Sequence, residues 1–376
     1  MSRSAYISLL ILTVFISINL NAQTFKLETV LNDAFKKSGA PGMGVMTTSS
    51  DTVLELYVAG KRRVDRADKI ATDDPFHIGS VSKTFTATLI AKLVEEKKIK
   101  WSSTVSSILP QVTASGHEAY KNATIADLLA HEVGLKPMEE MHEIKEVPLL
   151  KGDVTAQRYQ FSQWVFQQTP SGKPFKEYRY SNAHFIVAAA MAEKITGKPW
   201  ELLIEQYIFE PLNMTNSGFS WPGKDDTSVP WGHELQDGSF QPMDPNGSFF
   251  LPPYFGPAGD IHASLNDMAK YFQAYLKSWK GNNGYLQKST IEKMLTAKIR
   301  SGLGWGVKGP GNFKHLGMYA GSAGTFEMLV IMILDIDLAI TVVSNSASES
   351  SSSALKTIVR GLLKHNMEKL QQKPEK

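Results

Sequence analysis

Cysteine is absent from all 376 residues. That excludes disulfides, thiolate catalysis, cysteine-ligated metals and lipidation of a cysteine. Net charge is almost absent too, with 40 Lys and Arg against 37 Asp and Glu. The basic residues are scattered, so neither nucleic acid nor an acidic partner is expected. Long hydrophobic runs are missing as well. The best candidate, Ile7 to Leu20, is broken by Ser8, Thr13, Ser17 and Asn19 and is short for a membrane span. With Arg3 ahead of it and Asn21-Ala22-Gln23 behind, it reads as an export signal cut after Ala22, although Leu20 is larger than the usual small residue there. Residues 1–22 are therefore set aside as a signal peptide, which implies a secreted or periplasmic protein. Without cleavage the same run would serve as an anchor. His–Glu pairs occur at 117–118, 131–132, 142–143 and 233–234, but none extends to H-E-x-x-H. No metal and no cofactor is expected, and the chain has no internal repeats.

What is present suits one large domain or two intimate ones. Apolar Leu27, Val30, Leu31 and Phe35 predict an amphipathic helix from Phe25 to Lys37, ending near Gly39. Met43–Thr48 and Val53–Ala59 read as strands joined by Ser49-Ser50-Asp51. From about 101 to 299 helical patterns alternate with loops. The largest irregular segment, Asn213 to Pro257, holds Trp221, Trp231, Phe249, Phe250, Tyr254 and Phe255, whose default role is packing under the loop. Strand composition returns at Leu303–Val307, Thr325–Leu334 and Leu338–Val343, and a final helix runs from Ala354 to about Met367. The expected fold is α+β. An antiparallel sheet from both ends of the chain (about 23–100 and 300–370) is flanked by helices, and a mostly helical domain (about 101–299) is inserted between them.

Chemistry concentrates at Phe76-His77-Ile78-Gly79-Ser80-Val81-Ser82-Lys83-Thr84-Phe85, where a loop enters an apolar helix. Ser80 and Lys83 are three apart and share a helix face. A serine hydroxyl needs a neighbouring base to become a nucleophile, and a lysine is a base only when kept neutral by burial or nearby cations. A helix N-terminus would favour developing negative charge. Such a site needs a second proton carrier and an oxyanion hole. Tyr180-Ser181-Asn182 offers a phenol and an amide, but Tyr120-Lys121-Asn122 has the same spacing, and Ser353–Lys356 repeats the Ser–Lys pattern. Spacing alone leaves these alternatives open. Ala320-Gly321-Ser322-Ala323-Gly324 imitates a nucleophile elbow, yet a strand-like run follows it where an elbow needs a helix.

The order Ser80-x-x-Lys83, then Tyr180-x-Asn182, resembles the class C β-lactamase superfamily, with its penicillin-binding-protein-like D-peptidases and β-lactamase-related esterases. The likeness covers most of the mature chain. His77 to Ala87 is similar to the family's nucleophile segment, and Ile125 to Leu135 to its LLxHxSGL element. Glu210-Pro211-Leu212-Asn213-Met214 resembles its xPLGM stretch, and Gly302-Leu303-Gly304-Trp305 its GLGW. The family's third motif, Lys-Thr-Gly or His-x-Gly, has two candidates, His315-Leu316-Gly317 and Tyr319-Ala320-Gly321-Ser322. The second fits the family register better, because Ala323-Gly324-Thr325-Phe326 follows it.

The resemblance implies a serine hydrolase acting through an acyl-enzyme on an ester or amide. Ser80 would be the nucleophile, Lys83 its base and Tyr180 the proton carrier. Asn182 would orient Lys83 and substrate, and the Ser80 and Ser322 N–H groups would hold the oxyanion beside Gly321. Tyr319 would line the cleft without the cation that a lysine or histidine supplies for a substrate carboxylate. The expected order of substrates is thus a short-chain or aryl ester, then a D-amino-acid peptide or amide, then a β-lactam. His131 is read as a structural histidine near the cleft floor. A non-catalytic cell-wall-binding member of the fold is the reading of another class. The oligomeric state is left open.

Overall fold

The computed structural model describes residues 26–224, 226–247, 251–281, 284–309 and 313–371. The signal assigned to residues 1–22, and Phe25, Phe249 and Phe250, lie outside them. Helix α1 (Leu27–Ser38) closes on Gly39 at φ 64° and leads into strands β1 (Gly42–Thr48) and β2 (Val53–Gly60). A short strand, β3 (Pro75–His77), and a 3-10 turn at Gly79–Val81 run into helix α2 (Ser82–Glu95). The helical half follows, with α3 (Ile125–Leu129), α4 (Val154–Phe166) and α5 (Asn182–Thr196). Strands β4 (Ser217–Phe219) and β5 (Ile261–Ser264) then precede helix α6 (Leu265–Trp279). The chain ends with β6 (Leu316–Ser322), β7 (Glu327–Ile333), β8 (Leu338–Ser344) and helix α7 (Glu349–Gln371).

The main sheet is antiparallel in the order β2-β1-β8-β7-β6, so strands from both ends of the chain pair across β1 and β8. Its inner strands are buried on both faces, and their alternation sorts side chains between two cores. On β7, Leu329, Ile331 and Ile333 face a layer with Leu27, Leu31, Leu355, Ile358 and Leu362 of α1 and α7. Met328, Val330 and Met332 face the larger core that includes α2, α5 and α6. Each such fully buried aliphatic contributes about 1.5–3 kcal/mol.

Helix α2 is buried nearly all round, as its apolar composition requires. A second small sheet, β3-β5-β4, pairs His77 with His262 and so fixes the start of the 3-10 turn. Just before β5, the helical turn Gly256–Gly259 lies against α2, with Thr86 Oγ1 donating to Pro257 O at 2.8 Å. Buried Arg158 ties this region to the helical half. It donates to Glu193 Oε1 (2.6 Å), to both carboxylate oxygens of Glu201, and to the carbonyls of Pro253 and Tyr254 (each 3.3 Å). Removing one partner of a buried charge network leaves the others uncompensated. Arg158→Leu should therefore lose about 3–5 kcal/mol of stability, read as a lower urea midpoint.

Two expectations are corrected. Leu303–Val307 is not a strand: apart from an isolated bridge between Gly306 and Met318, it is a buried loop. Gly304 turns at φ 78° while Leu303 and Trp305 both enter the core, which an extended strand also allows, but the turn breaks the ladder. The third C-terminal strand is β6. Ser80 sits in the 3-10 turn ahead of α2 and not in the α-helix itself. The loop aromatics do pack: Trp221 stacks on His77 at 4.2 Å, Tyr254 on Phe161 at 5.2 Å, and Arg63 covers Trp231 at 3.7 Å.

Candidate active site

Two glycines let the nucleophile turn meet the sheet. Gly79 has φ 52°, and a Cβ there would lie 2.5 Å from the Ser322 nitrogen. A Cβ at Gly321 would lie 2.0 Å from Ile78 O and 2.8 Å from the Ser80 nitrogen. No side chain fits between these backbones. The turn and the end of β6 therefore approach closely enough for two backbone N–H groups to share one oxygen.

Ser80, Lys83, Tyr180 and Asn182 converge beside this junction. Lys83 Nζ lies 3.1 Å from Ser80 Oγ, 2.7 Å from Asn182 Oδ1 and 2.6 Å from Ala258 O. Tyr180 Oη is 2.8 Å from Ser80 Oγ on its other side. Asn182 Nδ2 donates to Met138 O at 2.7 Å, which points Oδ1 at Lys83. The two carbonyl oxygens around Lys83 can only accept. A neutral amine has two N–H groups for them and one lone pair left for the Ser80 proton.

Electrostatics separates the amine from the phenol. Lys83 is fully buried, and burial holds its amine well below the usual 10.5, against a weaker opposite pull from Glu139. Burial pushes the Tyr180 phenol up, so it keeps its proton. Neighbouring groups driven apart in this way are suited to act as a base and an acid.

The remaining candidates fall into place by geometry. Tyr319 lies on β6 opposite Val330, its hydroxyl neighbouring the Tyr180 phenol and lying 3.4 Å from His131 Nε2. His315 pairs instead with Asp335 (2.6 Å) and packs on Trp279 before β6 begins. Tyr120 is buried, donating to Gly134 O and Gln168 O, and takes no part in the cluster. Ser353 and Lys356 are exposed on α7. Ser322 ends a strand that turns into β7, which is not the strand-to-helix corner of an elbow.

The family model for beta-lactamases matches residues 27–363. The chain belongs to the beta-lactamase family. Among relatives, this family member is 29% identical over 254 residues to PbpX of Bacillus subtilis, which carries the name of a penicillin-binding protein. That match covers 65% of the chain and 56% of the relative, so it spans little more than half of that protein's length. A beta-lactamase of Escherichia coli is 22% identical over 299 residues, 77% of this chain and 74% of the relative. The fold is that of the octameric penicillin-binding protein homologue from Pyrococcus abyssi, with a TM-score of 0.74 at 23% identity, covering 90% of this chain and 77% of that one.

Some of the beta-lactamase-family site had no sequence signal. Ala258 and Met138 contribute only backbone carbonyls, which any residue carries. His184 follows Asn182 on α5 and reads as a helix residue. His131 was visible, but its position beside Tyr319 was not. Among the described residues, no helix is long and apolar enough to cross a membrane.

Proposed function

We propose that this chain is a serine hydrolase that works through an acyl-enzyme at Ser80. The observation that carries this reading is the set of contacts around Lys83. Asn182 Oδ1 and Ala258 O accept two N–H groups from the buried amine, and Ser80 Oγ lies 3.1 Å from the same nitrogen, so the neutral amine has its lone pair left for the Ser80 proton. As the Ser80 Oγ–carbonyl bond forms, the Ser80 proton passes to Lys83 and the carbonyl oxygen takes up the electron pair. The Ser80 and Ser322 N–H groups stabilise that oxygen. Collapse breaks the bond to the leaving group, which takes the Tyr180 proton, and Lys83 returns its own proton to Tyr180. Water then repeats the sequence in reverse. It gives a proton to Tyr180, whose proton passes to Lys83 and on to Ser80 as the acyl bond breaks.

Tyr319 stands where a cation would meet a substrate carboxylate. A neutral short-chain or aryl ester is therefore the preferred substrate, ahead of a D-amino-acid amide or peptide and a β-lactam. We also propose that residues 1–22 export the protein. A panel of p-nitrophenyl esters, D-alanine p-nitroanilide and nitrocefin tests the order of substrates. The esters are expected to have the highest kcat/KM, and faster turnover of nitrocefin would overturn the order.

A further inference from the structure

Behind Tyr319 lies a buried pair of histidines that the proposed chemistry does not use. His131 is 2% exposed and His184 is wholly buried. Their Nδ1 atoms are 3.2 Å apart, and the His131 ring stacks on Tyr180 at 4.7 Å. Backbone amides decide where their protons sit, because an N–H can only donate. Ser181 N–H donates to His131 Nδ1 at 3.1 Å, so that nitrogen carries no proton and Nε2 does. Leu135 N–H donates to His184 Nε2 at 3.3 Å, so His184 holds its proton on Nδ1.

These two tautomers impose one direction on everything ahead of them. His184 Nδ1–H donates to His131 Nδ1, and His131 Nε2–H to the Tyr319 oxygen. The Tyr319 hydroxyl, accepting from His131, is then free to turn its own proton to the neighbouring Tyr180 oxygen, and Tyr180 its proton to Ser80 at 2.8 Å. The Ser80 proton is left with one acceptor, the Lys83 lone pair. Every bond in the row points at the base.

The backbone is held in an uncommon shape to build this. Helix α3 starts at a reciprocal cap between Thr124 and Asp127 and stops after one turn. His131 then adopts φ 59°, and Met138, whose carbonyl orients Asn182, adopts φ 56°. Left-handed non-glycine residues cost about 1–3 kcal/mol each and gather where a site requires them. The rings are also kept neutral: burial holds both well below the usual imidazole value, His184 down to about 3, and Lys83 is the amine that faces them. Tyr178 and Phe185 complete the wall around His131.

We propose that His131 and His184 are positioning residues that set the hydrogen-bond polarity from Tyr319 through Tyr180 to Ser80. The inference rests on the acyl-enzyme reading for its catalytic consequence, but its structural core does not. Long-range 15N–1H spectra of the histidine-labelled protein read the tautomers directly, with signals assigned by their loss in His131→Asn and His184→Asn. His131 is expected as the neutral Nε2–H form and His184 as the neutral Nδ1–H form. In kinetics, His131→Asn suits the left-handed backbone but falls short of Tyr319. It should lower kcat about ten- to a hundred-fold with KM nearly unchanged. The double variant with Tyr319→Phe should be no slower than Tyr319→Phe alone, because both act in one row. A proton on the other nitrogen of either ring, or a wild-type kcat in His131→Asn, or additive losses in the double variant, would overturn the inference. Failure of the acyl-enzyme reading is seen separately, as a wild-type Ser80 that takes no covalent label.

Discussion

Ser80→Ala is expected to fold as the wild type does and to lose at least about a thousand-fold in turnover of every substrate the enzyme accepts. In the proposed mechanism the hydroxyl forms the covalent bond. It lies between the Lys83 amine at 3.1 Å and the Tyr180 phenol at 2.8 Å. Its loss leaves Lys83 still donating to Asn182 and Ala258, and the Tyr180 hydroxyl loses a partner. A thermal melt within a few degrees of the wild type, beside absent turnover, is the expected pair of results. Wild-type turnover in the folded variant would remove Ser80 from the mechanism.

Lys83→Met, close in volume to lysine, should be as inactive, and it also exposes the cost of keeping the base neutral. Burial lowers the amine in the folded protein, while the unfolded chain restores the ordinary 10.5. Between those two values the unfolded lysine holds a proton that the folded one does not. Unfolding therefore takes up a proton, and a rise in pH through that window stabilises the wild type. The methionine variant has no such group. The stability difference, wild type minus variant, should grow from pH 7 towards pH 10 in urea titrations. A constant difference would mean that Lys83 is charged in the fold, and the base assignment would fail.

Much of the sheet was legible because strand alternation survives burial. The apolar runs at Met43–Thr48, Val53–Ala59 and Leu338–Val343 match β1, β2 and β8 to within a residue or so at either end. Leu303–Val307 misled because an apolar run with two glycines can bury itself as a loop. The strand it displaced, Leu316–Ser322, is rich in glycine and small residues, and those are what allow β6 to touch the Gly79–Val81 turn. Function weakened the local strand signal there. At the site, Ser80, Lys83, Tyr180 and Asn182 carry chemistry in their side chains and could be read. Ala258 O and Met138 O could not, since a carbonyl leaves no mark on composition. The direction of the row from His184 to Ser80 depends on two backbone amides, Leu135 and Ser181, and only the folded chain brings those to the rings.

The most direct measurement is covalent labelling of the folded wild-type protein with a fluorophosphonate, followed by tryptic mapping. Cleavage after Lys69 and Lys83 isolates Ile70–Lys83, which holds both Ser80 and Ser82. One adduct is expected, located on Ser80 by fragmentation and lost in Ser80→Ala. An adduct on another residue, or none on the folded protein, would contradict the acyl-enzyme reading.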